Sequence, residues 1–592
     1  MNKRQRKKLQ AKMNVLKEAH FTDEQLWDMD VTLAKYISSG LKQFLNYLET
    51  KEELPGYPSD FKTLEEWHES INKMIWSFEE ISKQIADSFI ESIVFIDECA
   101  YDGMQGQKGN EFDAQKVSAT FARKNKLCSI YSPQKVSELK AMQSLLHKAD
   151  VIVLDWRLNI EDDLNEEVDS EADAQEIDSR GKYTIPIINQ IIEDAGHEKI
   201  KLVIVYTGET DLMSICDSIA KALSSGKTIY VNEDCTLQVE KVKIIVRAKK
   251  GHPDKYKHLG EDFKKLIISY EDLPDLILSH FMQMTDGILS NFALSAITEI
   301  RKSTFKILGV FSKDLDAAYI AHRNLIRHPK DATEMLMEIF STAIYDLLET
   351  SQIDTEKWLH SWIQSKCKTS LTHEIEDIDS NGKKSITRIP VTSDSLMNIV
   401  DFEISKDSQS RYNNIKDEKN NTYSEKKAKK HATQFFCLQG ENESQTNHLF
   451  ALITQNKHLF TSITHPILTQ GTILKSEENK YYICIQPVCD CARVPLEGRN
   501  FIFLPLEDHG EISIVLDANL CKYVDLHPYK MCVIHFMPQS AHSPVTPAAL
   551  DDKLFFISGE KKFEWIMTLK RIYAQNITES VMFCMMCWRC RE

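Results

Sequence analysis

The sequence predicts a multidomain α/β protein: a doubly wound, five-stranded parallel sheet between helical regions, followed by a β-rich C-terminal module. Three observations predict it. Short apolar runs at 92–96, 127–131, 150–154, 201–206 and 242–246 alternate with stretches of helical spacing, the pattern of buried parallel strands joined by crossover helices. Three of these runs lead straight into polar residues: Asp97-Glu98, Asp155 and Thr207. The fifth reaches Lys249 three residues later. Functional groups of an open parallel sheet gather beyond the carboxyl ends of its strands, so these residues are predicted to share one edge. Finally, short strands between polar turns dominate from about residue 435, which predicts a small barrel or sandwich.

The 592 residues are too many for one core and predict roughly three to five domains. A formal charge of −16 argues against sequence-independent nucleic-acid binding by the whole chain. No apolar stretch approaches the ~20 residues that span a bilayer. The basic start, Met1 to Lys8, has no apolar segment after it and does not read as a signal peptide. Fourteen unevenly spaced cysteines suggest reduced thiols, and the expected setting is the cytoplasm.

In order along the chain, 1–89 is expected to be helical. Trp27, Val31, Ala34, Ile37, Leu41 and Phe44 recur at helical spacing, Gly56-Tyr-Pro-Ser59 breaks the pattern, and Trp67, Ile71, Met74, Ile75 and Phe78 resume it. Residues 90–270 form the α/β domain, with helices expected near 110–124, 135–148, 184–195 and 211–223, and another from about 258. Two insertions interrupt this domain. The acidic stretch 159–182 has almost no apolar content and reads as a solvated loop. Residues 228–240 read as an extra β-ribbon before the last strand. The region 271–365 is helical, and its mixed apolar faces imply packing against a neighbour. Residues 366–434 read as a linker. In the module 435–592, strands are expected at 471–474, 481–485, 500–504, 512–515 and 554–557, with a closing helix near 560–575.

Two carboxylates and a third on a neighbouring strand end could hold Mg²⁺, which takes oxygen ligands and prefers one or two carboxylates with waters and phosphate. Asp97, Glu98 and Asp155 are the candidate metal ligands, and Asp155 is the candidate nucleophile for a phosphoryl group. Thr207 could donate a hydroxyl hydrogen bond to that group and Lys249 a point charge.

The segment resembles a receiver domain of two-component signalling. The resemblance implies an acidic pair after the first strand, matched by Asp97-Glu98, and a phosphoacceptor after the third, matched by Asp155. It implies Thr followed by a small residue after the fourth strand, matched by Thr207-Gly208, and Lys after the fifth, matched by Lys249. Three features depart from it: Lys250-Gly251 stands where proline is usual after the lysine, Val246-Arg247 where an aromatic switch residue is usual, and the gaps between the matched residues are longer than in a compact receiver. The runs Leu289 to Ile297, Asp316 to His322 and Tyr481 to Asp490 resemble large bacterial proteins of antiphage conflict systems that carry divergent receivers. That resemblance implies a histidine-kinase-type ATPase as partner, or a phage component. Trp27-Asp-Met-Asp30 and Lys73-Met-Ile-Trp76 resemble a small helical unit of phage-related proteins. The alternative readings are a pseudo-receiver that binds partners without phosphorylation and, third, a toxic effector such as a nuclease, for which no acid-plus-lysine core is found.

Other motifs have simpler readings. Ser224-Ser-Gly-Lys-Thr228 lacks the earlier glycine and leading strand of a phosphate-binding loop and reads as a helix C-cap. Cys484, Cys489 and Cys491, and Cys584, Cys587 and Cys590, lack the paired spacing of a zinc site and read as buried thiols and an irregular tail. The acidic stretch lacks the central glycine of a calcium loop. His322, His328, His360 and His465 have no identifiable nucleophile partner for a hydrolase triad.

Overall fold

The computed structural model describes residues 77–589 with gaps, the longer of them 101–111, 162–180 and 401–411. Of the expected helical region 1–89, residues 1–76 lie outside the described residues, as does most of the acidic stretch 159–182. The chain divides into two units, Met1–Lys368 and Thr369–Glu592.

The first unit begins with α1, Phe78–Phe89. Ser77 starts it through a reciprocal cap: its hydroxyl accepts from the Glu80 amide at 3.2 Å, and the Glu80 carboxylate accepts from the Ser77 amide at 2.7 Å. There follow β1 Ser92–Ile96, α2 Ala114–Arg123, β2 Leu127–Tyr131, α3 Val136–Leu146, β3 Val151–Leu154, α4 Thr184–Ala195, β4 Lys201–Thr207 and α5 Leu212–Leu223. Next come β5 Ile229–Asn232, β6 Thr236–Val239, β7 Val242–Lys249, α6 Glu261–Lys264, β8 Ile267–Ile268, α7 Leu273–Thr285 and α8 Ile288–Lys302. Helices α9 Thr304–Val310, α10 Asp316–Leu325, α11 Ala332–Thr350 and α12 Thr355–Lys366 complete the unit.

The sheet has eight strands rather than five, in the order β2-β1-β3-β4-β7-β6-β5 with β8 also on β7. Strands β1, β2, β3, β4 and β7 pair in parallel. The ribbon expected at 228–240 is present as β5–β6, and it adds antiparallel strands at the β7 edge. The two-residue strand β8 pairs in parallel with the end of β7 and is too short to leave a pattern in the sequence.

Alternate residues of each strand enter opposite cores, because side chains along a strand alternate faces. Val94, Ile96, Ile152, Leu154, Val203 and Val205 pack with α3, α4 and α5 on one face. Ile93, Phe95, Val151, Val153, Leu202 and Ile204 pack with α1, α2 and α7 on the other. Burial on both faces explains why these strands read as continuous apolar runs. Asp150 joins the amino ends of β1 and β3: its carboxylate accepts from the Glu91 and Ser92 amides at 2.9 and 3.0 Å and pairs with Arg301 of α8 at 2.8 Å.

In the second unit the stretch expected as a linker contains an antiparallel hairpin, β9 Leu371–Ile378 with β10 Lys384–Val391, and a helix Ser393–Val400. Ile375, Ile389, Val391, Leu396 and Ile399 are buried there, while Ile386 stays exposed, so most of the few apolar residues of a polar stretch point inward. A nine-stranded antiparallel sheet follows. Its strands are β11 Thr472–Ser476, β12 Tyr481–Cys484, β13 Arg499–Glu507, β14 Ile512–Val515, β15 Cys521–Val524, β16 Cys532–Phe536, β17 Ala548–Leu550, β18 Lys553–Ser558 and β19 Lys561–Thr568. They are ordered β14-β15-β13-β12-β11-β19-β18-β17, with β16 also on β13. The helix expected near 560–575 is replaced over 561–568 by β19, and the final helix runs Arg571–Arg589. Register with β11 and β18 holds Lys561–Thr568 extended, tertiary pairing overriding local spacing. Among the described residues, no helix is long and apolar enough to cross a membrane.

Candidate functional site

The carboxyl ends of β1, β3, β4 and β7 deliver the predicted residues to one edge. Asp97 directly follows β1 and Asp155 directly follows β3. Their backbones continue the ladder: the Asp97 amide donates to the Tyr131 carbonyl at 3.0 Å, and the Asp155 amide to the Ile96 carbonyl at 2.9 Å. Thr207 and Lys249 are the last residues of β4 and β7. Lys249 therefore stands on the strand itself, not on a loop beyond it, which fixes its backbone by β-pairing.

Asp97, Asp155 and Lys249 are brought together. The Lys249 ammonium lies 2.6 Å from Asp97 Oδ2 and 2.6 Å from Asp155 Oδ2, so these two oxygens are separated by no more than twice 2.6 Å. All three side chains are buried. The aromatic rings of Phe112 and Tyr206 lie 5.5 and 5.9 Å from the same ammonium, a further attraction to the positive charge. The other oxygen of Asp97, Oδ1, accepts from the Cys99 amide at 2.9 Å.

Burial shapes the charge states. It pushes the Asp97 carboxyl above the usual carboxylate range, outweighing the lowering pull of Lys249, and the Asp155 carboxylate adds to the rise. Burial alone would depress the Lys249 ammonium, but Asp155 and Asp97 more than offset it and hold its pKa above the ordinary lysine range. The buried lysine is thus charged at neutral pH. Burial also pushes the neighbouring Cys99 thiol up to about 11, so it is no nucleophile at neutral pH.

Thr207 is buried on the strand next to Asp155, and its hydroxyl oxygen accepts from the Glu209 amide at 3.3 Å. That bond fixes the hydroxyl and leaves its hydrogen to be donated. Glu98 is half-buried: its carbonyl accepts from Ser132 Oγ at 2.7 Å, and its carboxylate lies 4.0 Å from Cys99 Sγ.

Two of the departures from a receiver pattern have structural explanations. The Lys250 amide donates to the Ile268 carbonyl at 3.1 Å, extending the β7–β8 pairing; a proline there has no N–H to give. Arg247, in place of an aromatic residue, is buried, donates to the Asp234 carbonyl at 2.8 Å and lies 3.5 Å from His280 Nε2 of α7. Sequence spacing gave no sign of the His280 contact, which depends on the packing of a later helix.

The donor set fits a divalent cation in part. Two carboxylates converge closely, and Mg²⁺ commonly takes one or two with waters and phosphate completing its shell. Among the described residues, no three His, Cys, Asp or Glu side chains form a metal-holding group. The C-terminal cysteines that are described, Cys484, Cys489, Cys491 and Cys584, form no such group and no disulfide.

Residues 89–254 match the response receiver domain family. The matched segment holds all five predicted site residues and leaves the helical region after it and the second unit outside. No curated protein matches the chain, and no solved structure does.

Proposed function

Taking residues 89–254 as a receiver domain, we propose that the chain is a receiver-type signalling protein that accepts a phosphoryl group on Asp155 in the presence of Mg²⁺. The observation that carries this reading is the buried Asp97–Lys249–Asp155 cluster at the strand ends, with Thr207 on the strand between Asp155 and Lys249. A buried positive charge held by two acids is costly for stability and is poorly explained as packing.

Asp155 would act as nucleophile. Its Oδ2 is taken by Lys249, while Oδ1 faces no hydrogen-bond donor among the described residues. Attack of a carboxylate oxygen on phosphorus breaks the bond to the donor, whose electron pair leaves with the donor nitrogen, and an acyl phosphate results. Lys249 already sits within reach of both acids and would pair with a transferred phosphoryl oxygen. Thr207 would donate its free hydroxyl hydrogen to another. Asp97, with Glu98 close behind it in sequence, would hold Mg²⁺ together with Asp155; the ion would supply charge neutralisation and in-line alignment.

The donor we infer is a phosphohistidine on a histidine-kinase-type partner, and the setting is bacterial antiphage defence in the cytoplasm, supported by the sequence resemblances alone. Incubation with a small phosphodonor such as acetyl phosphate and Mg²⁺ should give a hydroxylamine-labile phosphoprotein. Asp155→Asn should abolish the label, and chelation should do the same. Unlabelled wild-type protein under these conditions would overturn the reading.

A second reading has its own observation: Lys249 already pairs with both carboxylates, so the cluster is held together without a phosphoryl group. The domain would then serve as a partner-binding scaffold. Phage protection that survives Asp155→Ala would favour it.

A further inference from the structure

Helices α9, α10 and α11 present an apolar surface that nothing among the described residues of the first unit covers. Phe305, Leu308, Val310, Leu315, Ile320, Leu325, Met337, Ile339, Phe340 and Tyr345 are all exposed, Phe305 by 85% and Leu325 by 81%. Helix α11 carries apolar residues around most of its circumference, yet only Ala332 is buried. A broad apolar helix face ordinarily packs against other apolar surface, and exposed apolar patches of this extent on soluble proteins mark docking surfaces.

We propose that residues 1–76 of the same chain dock on this surface. Three observations favour a cover supplied in cis. The first is where that segment ends. It joins the fold at Ser77, the N-cap of α1, and α1 packs against α8, which in turn packs against α11. The attachment point is thus one helix away from the bare surface. The second is length and pattern. α11 has 19 residues, about 28 Å at 1.5 Å per residue, and the preceding segment supplies Trp27, Val31, Ala34, Ile37, Leu41 and Phe44, a stripe of comparable length at helical spacing, to pack on the exposed surface.

The third is charge. Residues 331–350 hold five carboxylates and no Lys or Arg, whereas 1–20 hold seven Lys or Arg and one carboxylate. Residues 304–330 hold five Lys or Arg and two carboxylates, whereas 21–76 hold eleven carboxylates and five Lys. Each block of the surface therefore has its complement within the same chain, which fixes register as well as attraction. The inference concerns the helical surface and stands whether or not Asp155 is phosphorylated.

The test uses the full chain. Hydrogen exchange should show 304–350 protected in the monomer, with little binding of a hydrophobic dye. The triple variant Ile37→Asp, Leu41→Asp, Phe44→Asp should expose 304–350 and raise dye binding severalfold. The surface variant Phe305→Ser, Leu325→Ser should deprotect residues 27–44 in turn, a reciprocal loss that misfolding of one segment does not produce while the second unit keeps its exchange pattern. Light scattering distinguishes the rival occupant. A wild-type chain that dimerises, with 304–350 protected only in the dimer and unaffected by the 37/41/44 substitutions, would assign the surface to a second copy and overturn the proposal. So would a monomer in which 304–350 exchange freely.

Discussion

Lys249 is where the electrostatics of the site concentrate. Its ammonium is the only positive charge within hydrogen-bonding distance of Asp97 and Asp155 among the described residues. Lys249→Met keeps most of the side-chain volume but strands two buried carboxylates, and breaking such a pair costs about 3–5 kcal/mol. The loss should depend on pH with a defined sign. Asp97 already titrates above the usual carboxylate range, so the folded state holds a proton that the unfolded chain has released, and lower pH favours folding through that window. Removing Lys249 takes away the pull that keeps Asp97 from rising further. The gap between wild type and variant, measured by urea unfolding, should therefore shrink as the pH falls from 8 towards about 5. A constant gap would mean the acids are not the cause. On the alkaline side the Lys249 charge is fully present up to the ordinary lysine pKa of 10.5, and its contribution should be lost only as the pH climbs beyond it. Thr207 gives a kinetic counterpart: Thr207→Ala should slow phosphoryl labelling by about 10²-fold, as for one transition-state donor, while Thr207→Ser retains most of the rate. These residues were legible because each stands at the end of an apolar run. Glu98 was legible as an acid beside Asp97, while the Ser132 hydroxyl on its carbonyl comes from the segment after β2 and left no sign in the spacing.

At the scale of elements, the sequence disclosed what both faces of the sheet bury and concealed what pairing alone decides. Strands β1, β3, β4 and β7 are apolar because helices cover them on both sides, and their parallel pairing accords with the alternation with helices. β8 has two residues, and β19 carries Lys, Glu and Trp among its apolar positions; each is held by neighbouring strands rather than by its own composition. The hairpin β9–β10 was hidden for a related reason, because few of its residues face inward and the remainder are polar. Element joints can be tested directly. Arg301 ties α8 to the amino end of the sheet through Asp150, donates to the Phe89 carbonyl at 2.9 Å and stacks on the Phe89 ring at 4.4 Å. Asp150 keeps the Glu91 and Ser92 donors when Arg301 is removed. Arg301→Met should therefore cost about 2 kcal/mol rather than the full price of a stranded charge. Combined with Asp150→Asn, the double variant should lose less than the two single losses added, since both remove one contact. Strict additivity in urea unfolding would show that the two side chains act independently.

For the molecule as a whole, the division at Lys368 and Thr369 makes a calorimetric prediction. The cores that flank the parallel sheet draw their residues from the first unit, and those of the antiparallel sheet draw theirs from the second. Cores that share no residues need not melt together, and domains of this size fold as units. The full chain should accordingly show two heat-absorption transitions. Lys249→Met and Arg301→Met should each lower one of them and leave the other in place. For a unit running from Met1 to Lys368 a loss of 1 kcal/mol moves the midpoint by about 1–2 °C, so Arg301→Met should shift its transition by roughly 2–4 °C. Glycine replacing Phe536, which is fully buried against Phe501, Phe503, Phe556 and Phe563, should lower only the other transition. A single transition that moves with all three substitutions would show instead that the receiver-bearing unit and the β-rich unit unfold as one cooperative body. The same outcome would mean that a charge change at Asp155 can reach the second unit through stability alone, with no separate signal required.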